Sequence, residues 1–133
     1  MPEIWFYNEF KSELDFSAAT FYGVPSFDGV MFSGGADFFE AQFTCEAKVD
    51  FRGATFSGGA IFFRTRFSGE ADFFKSTFSG EAIFIEAKFE KLALFRNVKF
   101  LGQSNFIETN FKVAKFREAS FSKKKIYTLV YYL

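Results

Sequence analysis

The sequence predicts an all-β fold in which the chain winds as a solenoid around a core of stacked phenylalanines. Of the 133 residues, 25 are Phe, and 21 of these follow one another at steps that are mostly five or six residues. A small residue, most often Ala, stands two positions before most of them, and residues two apart on an extended segment point to the same side. A short unit with one large and one small inward residue buries its apolar side only by stacking on further units.

The repeat steps alternate between six and five residues, with two exceptions. The step from Phe43 to Phe51 is eight residues, which indicates a two-residue insertion. The step from Phe111 to Phe116 is five residues where six are expected. Neither helical spacing nor the strict alternation of a long strand explains this order, and the Gly residues within the unit disfavour a helix.

The unit, as in Ala36-Asp37-Phe38, resembles the repeat of the pentapeptide-repeat family in its Phe-centred branch. This resemblance implies a right-handed quadrilateral β-helix, a solenoid of about five coils in which four units make one coil. It also implies four columns of inward Phe, which together form a Phe-stacked core. The columns are Phe16, Phe38, Phe62, Phe84, Phe106; then Phe21, Phe43, Phe67, Phe89, Phe111; then Phe27, Phe51, Phe73, Phe95, Phe116; and Phe10, Phe32, Phe56, Phe78, Phe100, Phe121.

The corners of each coil are predicted from the residues that separate the Phe positions. Gly34 and Gly35 lie at a six-residue corner, in the stretch SGGAD. Glycine adopts a positive φ without steric cost, so we expect glycine at these corners to supply that conformation.

Each end of a solenoid presents an open strand edge, so departures from the repeat at the ends are interpreted as caps. The predicted boundaries are an N-terminal cap at 1–9, which contains the only Trp, the repeat domain at 10–121, and a C-terminal cap or tail at 122–133. The residues of the candidate docking tail are Ile126, Tyr127, Leu129, Val130, Tyr131, Tyr132 and Leu133.

The residue types argue against catalysis. The chain contains no His to act as a base, a triad member or a metal ligand. Its single cysteine, Cys45, is interpreted as a small corner residue, since no neighbour is evident that would activate a thiol. The carboxylates Asp37, Asp72, Glu81 and Glu86 fall on outward positions and are expected to be solvated. We therefore predict that the protein is not an enzyme and has no catalytic residues and no cofactor.

The stretch GGADFF at 34–39 is similar to part of the calcium-binding nonapeptide GGxGxDx. A calcium-binding array requires the acidic residue in successive coils. The position equivalent to Asp37 in the next coil is Ile61, so no calcium or other metal site is predicted.

The overall charge gives no reason to expect binding to nucleic acid or to an anionic membrane. The formal net charge is zero, although residues 1–50 carry nine acids against two bases and residues 103–133 carry six bases against two acids. A single Cys fits a reducing compartment, MPEIWFYNEF has no secretory signal pattern, and no apolar run approaches about 18 residues. A cytoplasmic location is predicted.

A candidate interaction face follows from the doubled phenylalanine at 38–39. Phe38 points inward, so Phe39 is expected to point outward together with residues at the same position of later coils. The face is predicted to contain Phe39, Ile61, Phe63, Ile83, Ile85 and Ile107. The corresponding residues of the opposite face are Arg52, Phe74, Arg96 and Arg117. A contiguous apolar patch indicates an interface, although strand propensity alone also favours Phe and Ile at exposed positions.

These observations favour a non-catalytic scaffold for protein–protein interactions whose protein partner is not identified and which could form a homo-oligomer. The resemblance implies one alternative, a DNA-mimicking topoisomerase-binding protein of the quinolone-resistance type, which requires an acidic surface along the rod. A second alternative is a peripheral membrane module attached through the C-terminal tail. A third is head-to-tail stacking of the acidic end on the basic end.

Overall fold

The phenylalanines form four straight columns that fill the solenoid. In the computed structural model, which describes residues 9–44, 46–122 and the backbone of 126–132, rings of successive coils lie nearly parallel. Phe21 stacks on Phe43 with centroids 4.5 Å apart, and Phe62 stacks on Phe84 at 4.9 Å and 2°. Rings in adjacent columns meet edge to face, as do Phe62 and Phe73 at 89°. The all-β solenoid of about five coils with a Phe-stacked core and the four predicted columns are confirmed; the right-handed sense stays a prediction.

Most strands are two residues long because the chain turns after each unit, whereas β14, β16 and β18 continue for seven, twelve and seven residues; the described strands pair with the equivalent strands of neighbouring coils. All the strand pairs are parallel, and Phe pairs with Phe along each column, for example Phe56 with Phe78. The strands are β1 Glu9–Phe10, β2 Leu14–Asp15, β3 Thr20–Phe21, β4 Met31–Phe32, β5 Ala36–Asp37, β6 Gln42–Phe43, β7 Val49–Asp50, β8 Thr55–Phe56, β9 Ala60–Ile61, β10 Arg66–Phe67, β11 Ala71–Asp72, β12 Thr77–Phe78, β13 Ala82–Ile83, β14 Lys88–Leu94, β15 Lys99–Phe100, β16 Ser104–Lys115, β17 Ser120–Phe121 and β18 Ile126–Tyr132.

The four sides of the coil are named here by their Phe columns. Side A carries Phe16 to Phe106, side B Phe21 to Phe111, side C Phe27 to Phe116 and side D Phe10 to Phe121. Side D is a separate six-stranded sheet, with the order β1-β4-β8-β12-β15-β17. Sides A, B and C are joined into one larger sheet because β14 and β16 run through corners without interruption.

The small residue two before each Phe fills the space that the ring leaves. Ala60 and Ala82 on side A are fully buried. On side B, two coils use buried Thr instead, and the Oγ1 atoms of Thr65 and Thr109 each donate a hydrogen bond of 2.7 Å, to the carbonyls of Phe38 and Phe84 respectively. These hydroxyls are therefore accommodated in the core because a backbone acceptor of an earlier coil lies within reach.

Both irregular steps of the sequence are absorbed outside the Phe columns. The two-residue insertion between Phe43 and Phe51 leaves the pairing on both sides of it in register, since Phe43 pairs with Phe67 and Val49 with Ala71. The short step from Phe111 to Phe116 is absorbed by a register shift between Phe89 and Leu92 where β14 pairs with β16. The stacking of rings therefore sets the register, and the chain between rings adapts to it.

The exits from sides A and C are tight turns whose third residue has a positive φ. On side A the turn is closed by a 2.9 Å hydrogen bond from the Ala41 N–H to the Phe38 carbonyl, and Glu40 has φ 56°. Every described coil repeats this conformation on side A with a residue other than glycine, namely Ala18, Glu40, Arg64, Glu86 and Glu108. On side C the first two coils use Gly29 and Gly53, and later coils use Lys75, Asn97 and Glu118.

The corner between sides D and A uses glycine for a different reason from the one expected. Gly35 does have a positive φ of 92°, but Gly34, Gly58 and Gly80 do not. They stack in one column, where a Cβ on Gly80 would lie 2.5 Å from the Gly58 carbonyl oxygen. The prediction of positive φ is therefore wrong for most of this column. Glycine is required because successive coils approach too closely for any side chain.

At the C-terminal end the chain adds one further strand. β18 pairs in parallel with β16, placing Ile126 beside Ser104, Leu129 beside Ile107 and Tyr132 beside Phe111. The candidate docking tail is thus placed as a paired strand along sides A and B, while Leu133 lies outside the described residues. Nearly all of the predicted N-terminal cap, residues 1–8, and Cys45 also lie outside them.

Candidate interaction face

The candidate face is formed by the positions immediately before and after the inward Phe of side A. Ile61 and Ile83 lie directly before the ring positions, in paired strands that place them side by side. Phe63 and Ile85 lie directly after. All six predicted residues are half-buried, and they are Phe39, Ile61, Phe63, Ile83, Ile85 and Ile107. They form an apolar strip that extends across four consecutive coils.

Contacts within the strip join neighbouring coils. The rings of Phe39 and Phe63 lie 5.4 Å apart at 56°, and the guanidinium of Arg64 lies 5.2 Å from the centre of the Phe63 ring. At the C-terminal end, Leu129 of β18 takes the register position beside Ile107. The backbone register therefore continues the row of Phe39, Phe63, Ile85 and Ile107 by one more coil.

The residue before the inward Phe accepts a hydrogen bond from the following turn in several coils, but two residues of the strip cannot accept it. An Asp or Asn here accepts a hydrogen bond from the N–H two residues later, as Asp37 does from Phe39 at 2.9 Å and Asn105 from Ile107 at 3.1 Å. Such a side chain favours the turn that follows. Ile61 and Ile83 cannot accept this bond, so the local turn does not explain their presence.

The side chains along the edge of the strip are mostly acidic. They occupy the positive-φ positions, where Arg64 lies between Glu86, with its Nε 3.0 Å from Oε1, and Glu40, with an Nη1–Oε2 distance of 3.5 Å. The hydrogen bond and charge of Glu86, supported by Glu40, raise the pKa of Arg64. Glu108 continues this row of positive-φ residues, and Asp37 lies beside Ile61 in the paired strands, so one cation is set among several carboxylates.

Side C has the same backbone but a different outer surface. The residue after the inward Phe73 is Phe74. The Lys75 ammonium lies 5.3 Å from the centre of the Phe74 ring, and the Arg96 guanidinium lies 5.8 Å from it. Arg52 binds the Asp50 carboxylate through Nε at 3.0 Å and Nη2 at 2.9 Å. Burial raises the pKa of Asp50, but the hydrogen bonds and charge of Arg52 outweigh it, and the net pKa lies below its ordinary value.

One carboxylate does not lie where the sequence placed it. Asp72 was expected to be solvated, yet it is buried at 6% exposure. Its Oδ1 accepts a hydrogen bond from the Phe74 N–H at 3.0 Å, and its Oδ2 lies 3.3 Å from the Lys48 ammonium. Lys48 belongs to the corner with the two-residue insertion, so the longer corner supplies the cation that covers this acid. The expectation that Asp72 is solvated is therefore wrong.

The most exposed large apolar residues lie outside the predicted face. Tyr22 is 82% exposed and Val24 is 66% exposed, both in the first corner between sides B and C. Neither residue was predicted to be a site residue, although FYGVP places Tyr22 directly after an inward Phe, as Phe39 directly follows Phe38. An isolated pair of this kind does not form a strip, because Thr44 and Ser68 take the equivalent place in later coils.

Other concave or ligand-binding features are limited. Side B has an open depression of about 320 Å³ beside Lys88, Glu90, Asn110 and Lys112. Among the described residues there is no group of three or more His, Cys, Asp or Glu side chains that could hold a metal ion. In that same part of the chain, no helix has the length and apolarity needed to cross a membrane.

The comparison with known families agrees with this architecture. A model of pentapeptide repeats, in nine copies, matches residues 73–120. No curated protein and no solved structure matches the chain significantly. The matched segment covers the later coils, and the same four columns of rings continue without a break back to Phe10. Residues 73–120 therefore match pentapeptide repeats, and the described chain winds into a β-solenoid of about five coils.

Proposed function

We propose that the protein is a non-catalytic scaffold for protein–protein interactions and that the apolar strip of side A is its docking surface. The fold supports a role as a rigid repeat scaffold, since its interior is filled with rings and its outer positions are free to vary. The scaffold offers a flat, regular surface, which suits a protein partner better than a small ligand, because small ligands bind in concave sites.

The observation that carries this proposal is the pair Ile61 and Ile83. Their position accepts a turn-forming hydrogen bond wherever Asp or Asn occupies it on sides A and C. In the middle of side A, two successive coils replace that acceptor with isoleucine, and the following residues are Phe63 and Ile85. An apolar strip that forgoes a local hydrogen bond is better explained by a contact with another molecule than by the turn.

The edge of the strip restricts the chemistry of the partner. Asp37, Glu40, Glu86 and Glu108 border it, with Arg64 as the cation among them. A partner that fits this surface has an apolar centre and basic side chains at its rim. Complementary charges at a rim mainly increase the rate of association, so binding should weaken and slow as the salt concentration rises.

A photo-crosslinking experiment tests the proposal. A photoreactive phenylalanine at position 63 should capture one protein of the source organism, whereas the same group at position 74, in the equivalent place on side C, should not. The captured protein is then purified, and its binding is measured to the wild-type chain and to the double variant Phe63→Asp, Ile85→Asp. We expect at least a hundredfold weaker binding to the variant, with an unchanged circular dichroism spectrum.

Each outcome of this experiment is decisive. A product of twice the chain mass would identify the partner as a second copy, joined side by side through side A. Equal crosslinking from positions 63 and 74, or equal binding by the folded double variant, would exclude side A as the docking surface.

The charge distribution favours the scaffold over a DNA mimic. Acidic residues are concentrated in the first two coils, while the later coils of side C carry Arg96, Lys115 and Arg117. A gyrase supercoiling assay separates the two functions: a DNA mimic inhibits or protects the enzyme at micromolar concentration, and a scaffold of the proposed kind leaves it unaffected. Attachment to membranes through β18 is tested by flotation with anionic vesicles.

A further inference from the structure

A group of exposed cations lies on the outside of side C and on the corner that leads into it from side B. We call this group the basic patch, and its members lie in three successive coils. They are Lys75, Lys91, Arg96, Lys112, Lys115 and Arg117, and all of them are exposed. Within the described part of the chain none of them forms an ion pair, whereas Arg52, Arg64 and Arg66 each do. The molecule itself therefore does not neutralise the patch.

Backbone pairing between coils brings these cations together. The Asn97 N–H donates a hydrogen bond of 2.9 Å to the Arg117 carbonyl, which places Arg96 and Arg117 at equivalent positions of successive coils. Across the corner β14 pairs with β16, and Leu94 lies beside Lys115. Paired strands are about 4.8 Å apart, so the cations occupy one compact area of the surface.

An earlier coil neutralises the same positions of side C. There Arg52 binds the carboxylate of Asp50, which lies two residues before it. In the two later coils the residue two before the corresponding arginine is Leu94 or Lys115. An Asp at this position also favours the turn that follows, so the local structure does not explain its replacement by an apolar residue and by a further cation.

The acids in the coils of the patch are mostly engaged. Glu90 is paired with two cations of side B, and Asp72 is buried. Glu118 accepts a hydrogen bond of 3.0 Å from the Asn97 side-chain amide. Glu70, at the corner between sides B and C, is half-buried. The formal net charge of zero therefore conceals a strongly positive local surface.

An aromatic ring adjoins the cations. The half-buried ring of Phe74 has the Lys75 ammonium 5.3 Å and the Arg96 guanidinium 5.8 Å from its centre. Nucleic-acid bases stack on aromatic side chains in surfaces that bind single strands, while neighbouring cations contact the backbone phosphates. A ring among cations suits a polyanion that carries bases better than an acidic peptide, which has none.

The shape of the surface favours a flexible strand. Lys91 and Lys112 lie at the corner between sides B and C, whereas Arg96 and Arg117 lie on side C itself, so the patch continues around a convex corner. A single strand can follow such a corner. A DNA duplex is stiff over about 50 nm, so bending it around a corner of this size costs free energy.

We propose that the basic patch binds the phosphodiester backbone of a single-stranded nucleic acid, with one base stacked on Phe74. The guanidinium groups of Arg96 and Arg117 each suit a phosphate, which they can bind through two parallel hydrogen bonds. Contacts of this kind do not read the sequence of the strand. This inference rests on side C and its corner and is independent of the proposed function, which rests on side A.

Fluorescence anisotropy with labelled oligothymidylate and oligouridylate tests the proposal. The wild-type chain should bind both at low salt. The logarithm of the association constant should fall with the logarithm of the salt concentration with a slope of about −3, the value for about four neutralised phosphates. Tighter binding of oligouridylate would identify RNA as the preferred strand, and tighter binding of oligothymidylate would identify DNA.

Matched variants make the result specific. Arg96→Gln with Arg117→Gln should weaken binding at least about tenfold and make the slope shallower by about 1.4. The control Arg64→Gln with Arg66→Gln removes the same charge from arginines that already have carboxylate partners, so its affinity should stay within about twofold of wild type. Phe74→Leu should weaken binding about fivefold or more and leave the slope unchanged.

Circular dichroism confirms that each variant is folded before binding is compared. Equal weakening in the two arginine variants, or no binding at low salt, would overturn the proposal. Tighter binding of a DNA duplex of the same length would overturn the assignment to a single strand. Binding to anionic vesicles but not to either oligonucleotide would also overturn it, because the patch would then recognise a lipid surface.

Discussion

Sides A and C face each other across the same core but present different surfaces. Both are lined inside by an unbroken column of rings, and both exit through turns with a positive φ. Outside, side A carries the apolar strip of Phe39, Phe63 and Ile85, whereas side C carries Arg52 and Arg96. The fold therefore fixes the residues at the inner positions, whereas the residues at the outer positions can vary and can serve a function.

The largest effect should come from the core, and it should be the same on both sides. Phe62→Ala on side A and Phe73→Ala on side C each remove a fully buried ring that stacks on two others. Each should lower the free energy of unfolding by about 3–5 kcal/mol, measured by urea denaturation. A difference between the two larger than about 2 kcal/mol would contradict the equivalence of the columns.

The second effect concerns the corner that leads into side A. A Cβ on Gly80 would meet the Gly58 carbonyl oxygen at 2.5 Å, so Gly80→Ala forces the two coils apart. We expect a loss of about 1–3 kcal/mol in the free energy of unfolding. The control is Gly59→Ala in the same corner, where the nearest atom lies 3.9 Å away and φ is not positive. If both substitutions cost the same, close approach is not the reason for the glycine column.

The third effect should have opposite signs on the two sides. Glu108 on side A holds φ 57°, a conformation that costs a residue with a Cβ roughly 1–2 kcal/mol, so Glu108→Gly should leave stability unchanged or raise it by up to about 1 kcal/mol. Gly53 on side C holds φ 68° with open space around it. Gly53→Ala should therefore lower stability by about 1 kcal/mol. Thermal melts measure both, and a large loss in Glu108→Gly would contradict the account of backbone strain.

The smallest effect belongs to the charged surface of side C. The pKa of Asp50 lies below its ordinary value of 3.8 because the contribution of Arg52 exceeds the effect of burial. A carboxyl whose pKa is lower in the folded state stabilises the fold above its unfolded pKa, and this stabilisation is lost as the pH falls through the folded value. Arg52→Gln should therefore lower the melting temperature slightly at pH 7. The difference from wild type should disappear as the pH is lowered below 3.8.

The Phe columns could be predicted because their signal is local and repeated. Once four units make a coil, the spacing of rings such as Phe38, Phe43 and Phe62 assigns each of them to a column. Stacking between rings stabilises the same arrangement in every coil. The prediction was less successful at corners. Glycine at the six-residue corners was expected to supply a positive φ, whereas Gly58 and Gly80 are needed for close approach between coils, which depends on residues 22 positions apart in sequence.

The outer positions were predicted only in part. The sequence places Phe39 and Phe63 on one outward row, and the structure places them in contact. The sequence could not show that Asp37 and Asn105 accept hydrogen bonds from backbone N–H groups of the turn. Those bonds make Ile61 and Ile83 unusual at the same position. Nor could it place Asp72, since its burial depends on Lys48 in the corner with the insertion.

The amino-acid sequence by itself determined the class of fold, a β-solenoid with inward rings, because short units with one large inward residue bury it only by stacking on one another. The four columns and the number of coils followed from the resemblance to the pentapeptide-repeat family, which implies four units in each coil. Only the tertiary structure decided which corners need glycine, which carboxylate is buried and where β18 pairs. These features depend on contacts between coils and on the placement of β18 above β16, and a pattern confined to one coil carries no information about them.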